Sequence, residues 1–267
     1  MGSTLKFIAK WAVYGFLVII LGIWLVNTPA GLLGKADAIG CAICHRIDER
    51  SFHLASRQLP LCARCSGMYL GALTSLIYQL RLGKRGGMPP TKIMIVLGVF
   101  FLAFAVDGVN SYFHFFPNLP TLYQSTNWLR LLTGSGVGLS ISAVLFPTFH
   151  QTVWEKWDNR PAIGTFGELG IAVILVLFVD GLILSENPLL LYPLALMSVA
   201  GVIILLTIAY SLIWILLFKK DNQFNKPAQL IFPLAGGLIV TMLQIGLFDL
   251  GRFWLTGTWE GFHIILQ

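Results

Sequence analysis

Apolar runs separated by short polar segments dominate the chain, and most are long enough to cross a hydrocarbon core of roughly 30 Å as a helix. After a start carrying Lys6 and Lys10, the first run extends from about Trp11 to Leu33. Its apolar part exceeds the roughly 7–15 residues of a signal-peptide core, and no small-residue cleavage site precedes the polar stretch, so it is expected to remain as a first helix. Segment 34–65 is polar and cysteine-rich. Further helices are expected at about 66–82, 93–115, 127–146, 166–184, 189–218 and 230–250, the sixth long enough to tilt or bend at Pro193. Turn-formers separate them: Gly86, Gly87, Pro89 and Pro90, then Pro117 and Pro120, then the polar stretch 148–165, then Ser185 to Pro188. The aromatic tail after Leu250, including His263, is expected to lie at the membrane interface.

This pattern predicts the all-α class: a polytopic integral membrane helix bundle of about seven transmembrane helices. Residues 1–267 form a single transmembrane domain, with 34–65 a loop between helices one and two. Small residues suit two helices to close contact in lipid: Gly67, Gly71 and Ala72 on the second, and T-G-S-G-V-G-L-S from Thr133 on the fourth. Composition agrees, since 56% of residues are hydrophobic and 11% charged, against about 25% charged in soluble domains.

The net charge of +6 changes the picture only through its placement. A nucleic-acid surface gathers basic residues on one face, whereas here they sit in short loops, so no nucleic-acid partner is expected. Of the 18 Lys and Arg residues, eleven fall on the side of the amino terminus: Lys6, Lys10, Arg81, Lys84, Arg85, Lys92, Lys156, Arg160, Lys219, Lys220 and Lys226. The positive-inside rule then puts the amino terminus inside, the carboxyl terminus outside and the cysteine loop on the outer face of what is expected to be a prokaryotic cytoplasmic membrane.

That loop holds all four cysteines as C-A-I-C-H at Cys41 to His45 and C-A-R-C at Cys62 to Cys65. Two C-x2-C pairs 17 residues apart fall within the spacing of a zinc site, making Cys41, Cys44, Cys62 and Cys65 candidate ligands and His45 a substitute for one of them. Two disulfides are the nearest rival in an oxidising compartment. C-A-I-C-H is also the attachment signature of a c-type haem at Cys41, Cys44 and His45, although a haem leaves Cys62 and Cys65 unexplained. Thiol exchange ranks last, because no βαβ pattern surrounds either pair.

A second set of polar residues lies inside apolar runs. Asp107, Asp180 and Asp249 each occupy the last third of a helix running toward the cysteine-loop side, and ionisable groups at such depth mark functional sites by default. Asp180 and Asp249 are read as reaching headgroup water, whereas Asp107, beside Asn110 and His114, is expected to pair with Arg130. Arg50, Arg64, Asp107, Asn127 and Arg130 would then line a site for a lipid headgroup or isoprenoid phosphate, because guanidinium groups bind phosphate oxygens bidentately. His53, His114 and His263 read as interfacial, and His150 with Trp154 and Trp157 as an inner aromatic belt.

C-H-R-I-D-E-R-S-F-H followed by Q-L-P-L-C-A-R-C-S-G-M-Y-L-G resembles the bacterial and archaeal membrane family called domain of unknown function 2085. The resemblance is specific from Cys44 to Gly71 and looser through D-G-V-N-S (Asp107 to Ser111) and N-W-L-R-L-L-T-G (Asn127 to Gly134). It implies a pattern centred on Cys44, His45, Arg50, Ser51, Phe52, Cys62, Arg64, Cys65 and Gly67, with Cys41 an addition, and thus a Cys44, His45, Cys62, Cys65 ligand set. Adjacent Cys44 and His45 are expected to reach one ion with difficulty. The functional expectation is a zinc-binding structural or accessory subunit of a membrane assembly. The alternatives are a membrane enzyme or carrier for a lipid or isoprenoid phosphate, and a haem-bearing electron-transfer subunit.

Overall fold

The structure, a computed structural model, describes residues 2–116 and 120–259. The expected positions of Pro117 and His263 lie outside them. Eight α-helices follow in order: α1 (Gly2–Asn27), α2 (Gly31–Ile43), α3 (Ala63–Leu80), α4 (Thr91–Phe113), α5 (Asn127–Val153), α6 (Phe166–Leu184), α7 (Pro188–Leu217) and α8 (Ile231–Thr256). Four short strands interrupt them: β1 (His53–Leu54), β2 (Arg57–Gln58), β3 (Arg85–Gly87) and β4 (Asp158–Pro161). Six helices, all but α2 and α3, are long and apolar enough to span a membrane. The chain is therefore an all-α integral membrane bundle.

Three boundaries differ from expectation. The first run does not continue to Leu33: α1 stops at Asn27, because Pro29 forces the preceding residue out of the helical region, and Gly31 then takes a left-handed φ of 79°. The residues after it form the separate helix α2, which packs on α7 and α8 and contributes Ala36 and Ile39 to a shared core, while Gly40 fits against the Pro60 backbone. Its short run of small residues looked like a polar loop because Lys35 and Asp37 interrupt it. At the other end of the chain, α8 continues past Leu250 to Thr256 and closes on Gly257, whose left-handed backbone bonds back to the Phe253 carbonyl over 2.8 Å. Arg252 therefore belongs to a helix and not to an interfacial tail.

Helix α3 is the axis of the bundle and touches α5, α6 and α7. Shielded from lipid on most sides, it can carry Ser66, Ser75, Tyr78 and Gln79 as buried residues, which keeps its hydropathy below that of a lipid-facing span. Its closest partner is α5. The two pack backbone against backbone: a Cβ at Gly138 would lie 2.0 Å from the Met68 carbonyl oxygen, at Gly134 2.2 Å from that of Arg64, and at Gly67 2.2 Å from that of Leu131. On each helix the glycines are four residues apart, the spacing that lets helices approach most closely in lipid.

The loops sort to two ends. Strands β3 and β4 pair in parallel, and Asn222 N–H donates to the Thr152 carbonyl over 2.8 Å, so the loops after α3, α5 and α7 share one end. Trp154, expected in an aromatic belt, is instead 5% exposed there and capped by the Lys84 ammonium 3.5 Å above its ring. At the opposite end, α2 meets α8, the turn at Asp48–Arg50 meets the ends of α4 and α5, and β1 of the antiparallel hairpin β1–β2 touches α7. Replacing Gly138 with valine is expected to destabilise the protein by at least about 2 kcal/mol through overpacking. Gly98→Ala, on an exposed face with nothing near its Cβ, is expected to be neutral or slightly stabilising. Thermal unfolding of both variants in detergent checks the contrast, and equal melting temperatures would refute the packing account.

Candidate metal centre and arginine cluster

Helix α2 ends at Cys44, whose extended backbone turns the chain toward the start of α3. Arg46 then adopts a left-handed φ of 50°, costly for a side-chain-bearing residue. Its guanidinium offsets that cost by pairing with Asp37 over 2.9 Å and donating to the Trp259 carbonyl over 2.8 Å. Asp37 also pairs with Arg57 on β2, so one carboxylate ties α2, the turn and the hairpin together. The turn lets Arg46 N–H reach back to Cys44 Sγ at 3.5 Å, and Cys62 N–H points at the same sulfur from 3.3 Å.

Around that sulfur the donor atoms of Cys44, His45 and Cys62 lie within 4.8 Å of one another. Contrary to expectation, the adjacent pair does converge, with Cys44 Sγ 3.5 Å from His45 Nδ1. A tetrahedral ion with bonds of about 2.3 Å to sulfur and about 2.05 Å to nitrogen holds those two atoms about 3.5 Å apart. The Cys65 thiol borders both Cys44 and Cys62. Hydrogen bonds from the Cys62 and Cys65 thiols, with His45 beside it, hold Cys44 well below the ordinary thiol range, while the same contact with Cys44 pushes Cys62 up to about 12. One thiol of the group thus already favours the anion that a metal requires.

All four cysteines are free, with no disulfide. Cys41 stands apart: it is buried at 2% exposure, burial raises its pKa, and it does not join the converging group. With Cys41 and Cys44 both buried, Cys44 at 4%, neither presents a face to a haem macrocycle. What fixes this end of α2 is Arg252 from α8. Its guanidinium donates to the carbonyls of Cys41 (2.8 Å), Cys44 (2.5 Å) and His45 (3.1 Å), placing positive charge where the helix carbonyls end. Ending helix seven at Leu250 hid this residue; read as intramembrane, Arg252 would have drawn the attention that Asp249 did.

Beside the thiols lies the second site. Asp107, fully buried, pairs with Arg64 from the first turn of α3 and not with Arg130. Gly134 lets α5 press closely on the Arg64 backbone, and the Arg64 side chain reaches Asp107 on α4. Both carboxylate oxygens are saturated: Arg64 donates to Oδ2, and the hydroxyls of Tyr123 and Ser125 each donate to Oδ1 over 3.0 Å. Ser111 accepts from Arg64 over 2.8 Å. Arg130 instead donates to Asn127 Oδ1 over 2.9 Å, and the Asn127 amide reaches the carbonyls of Glu49 and Ser51. Arg50 donates to the Ser111 carbonyl over 2.9 Å and stacks 4.0 Å above the Phe115 ring. Burial, with Arg130 and Arg64 nearby, lowers Arg50 to about 10, which leaves it charged at neutral pH.

The remaining candidates separate. Asp180 accepts from Ser135 over 2.7 Å and Asp249 from the Trp24 indole over 3.2 Å, which anchors α1 to α8. Both are buried, at 2% and 3% exposure. The three aspartates have different partners and do not meet. His53 pairs with Asp48 over 2.8 Å, and His114 bonds to the Asn110 carbonyl over 3.0 Å.

The class this defines is an integral membrane helix bundle bearing a Cys/His cluster at one end. The family model described as "Predicted membrane protein (DUF2085)" matches residues 44–144, beginning at Cys44 and covering α3, α4 and most of α5. An uncharacterized protein of Methanothermobacter thermautotrophicus is 33% identical over 101 residues, 37% of this chain and 82% of the relative. An uncharacterized protein of Methanocaldococcus jannaschii is 29% identical over 121 residues, 45% of this chain and 72% of the relative. The chain belongs to the DUF2085 family. No solved structure matches it significantly.

Asp107→Ala is expected to cost about 3 kcal/mol or more, because it strands Arg64 without its counter-charge. The double variant Arg64→Met, Asp107→Leu is expected to recover much of the loss. A double-mutant cycle on thermal unfolding checks this, and additive effects would show that the pair is not coupled.

Proposed function

We propose that Cys44, His45, Cys62 and Cys65 hold a zinc-type ion in a closed structural centre, and that the chain is a non-catalytic component of a membrane assembly built around it. The observation that carries this reading is the convergence of the Cys44, His45 and Cys62 donors within 4.8 Å of one another, with backbone amides aimed at the Cys44 sulfur and the Cys65 thiol bordering both cysteines. Three thiols and an imidazole complete a tetrahedron and leave no position for a reacting water. Such an ion supplies cross-linking: it would fasten the end of α2 to the start of α3, and through Asp37 and Arg252 to the hairpin and α8.

In this reading the cysteine-loop end faces the outer side. Charge placement supports it, because basic residues at that end are engaged internally: Arg46 and Arg57 with Asp37, Arg64 with Asp107, Arg252 and Lys35 with carbonyls. The larger group at the opposite end is what the positive-inside rule expects of the cytoplasmic face.

Purified protein is expected to contain about one zinc per chain by elemental analysis, the occupancy of a single tetrahedral site. Cys44→Ser and Cys62→Ser are expected to lose it, and Cys41→Ser to retain it. A strong chelator should lower the melting temperature of wild type only. Metal-free protein whose thiols are bridged in pairs by mass spectrometry, or loss of metal on Cys41→Ser, would overturn the assignment. Solubilised in mild detergent, the chain should co-purify with other subunits at fixed stoichiometry; a monodisperse single-chain particle from native membranes would count against the subunit role.

A further inference from the structure

Three guanidinium groups converge between the cysteine loop, α3 and α5, and only one of them has a carboxylate. Asp107 accepts four hydrogen bonds on its two oxygens and neutralises Arg64. Among the described residues, no carboxylate lies within ion-pair distance of Arg50 or Arg130. Their partners are neutral: the Ser111 carbonyl and Phe115 ring for Arg50, the Asn127 side chain for Arg130. Glu49 and the Cys62 thiol act on both only at longer range, and Glu49 is itself exposed.

Gathering like charges in this way is expensive. Arg50 and Arg130 are 9% and 8% exposed, and the Arg130 Nε–H is buried with no acceptor. A buried donor on a cation, left unpaired, forfeits its hydration without return. The scaffold nevertheless holds the group in place, since Asn127 is bonded both to Arg130 and to the loop carbonyls of Glu49 and Ser51. Rigid placement of cations beyond the available carboxylates is the arrangement of an anion receptor.

We propose that Arg50, Arg64 and Arg130 form a binding site for a phosphate-type dianion, supplied by a lipid headgroup or by a soluble phosphate or pyrophosphate. Arg130 offers Nε–H and a free edge of its guanidinium, Arg50 the edge opposite its bond to Ser111, and Arg64, neutralised by Asp107, borders the site and bonds to the Ser111 hydroxyl. Arg64 and Arg130 are carried by helices, whereas Arg50 sits in the turn between the two cysteine segments.

The test uses the full chain in detergent and in nanodiscs, followed by thermal shift and by direct binding. Inorganic phosphate and pyrophosphate are one arm, with sodium chloride at matched ionic strength as control. Nanodiscs containing phosphatidic acid or phosphatidylglycerol, against phosphatidylcholine alone, are the other. At least one arm is expected to raise the melting temperature and show saturable binding, and Arg130→Gln and Arg50→Gln are each expected to weaken that binding at least tenfold. Response in the soluble arm assigns a free phosphate, and response in nanodiscs alone assigns a lipid headgroup. If Arg130→Gln fails to fold, Arg130→Lys, which keeps the charge and loses the bidentate edge, should still show weakened binding. No response in either arm, a response reproduced by sodium chloride, or binding unchanged in the folded variants would overturn the site. Zinc content measured on the same samples separates this outcome from a failure of the metal centre.

Discussion

The contact between α3 and α5 sets the position of everything at the cysteine-loop end. With glycines at 67, 71, 134 and 138, the two backbones approach so closely that no side chain could stand between them. In lipid this contact cannot draw on the hydrophobic effect, so it depends on dispersion between closely fitting surfaces. Its consequence is chemical as well as mechanical. It brings the first turn of α3, carrying Cys62, Arg64 and Cys65, alongside the first turn of α5, carrying Asn127 and Arg130.

From that contact the two polar sites follow as neighbours. The thiol group forms where α2 ends against the start of α3, and the arginines gather where α3, α4 and α5 meet one turn away. The two sites adjoin, since Cys62 and Arg64 lie two residues apart at the start of α3. The family match spans this unit, from Cys44 to residue 144, and leaves out α1, α2 and α6 to α8. Those outer elements serve to buttress it, most directly through Arg252 on the carbonyls of the cysteine turn.

Buried charge in this bundle is handled in two ways. Asp107 is fully satisfied by an arginine and two hydroxyls, the condition under which a charge can persist away from water. Asp180 and Asp249 keep one oxygen each without a partner and are bonded by a single neutral donor, Ser135 or Trp24. The first arrangement organises a site. The second pins one helix to another.

What the sequence determined by itself follows from the bilayer. Apolar run length set seven of the eight helices, small-residue spacing identified the faces of α3 and α5 that meet, and cysteine spacing located the thiol cluster, because each is a local signal with a direct physical cause. Helix α2 escaped notice since its small residues pack on α7 and α8 only after the bundle forms, and Arg252 since its helix end is set by the cysteine loop it grips. Family resemblance already set Cys41 apart, but only the tertiary structure decided that adjacent Cys44 and His45 converge, and that Asp107 belongs to Arg64. Partner choice among charges depends on which helices touch and at what depth, and no spacing along a single chain encodes that distance.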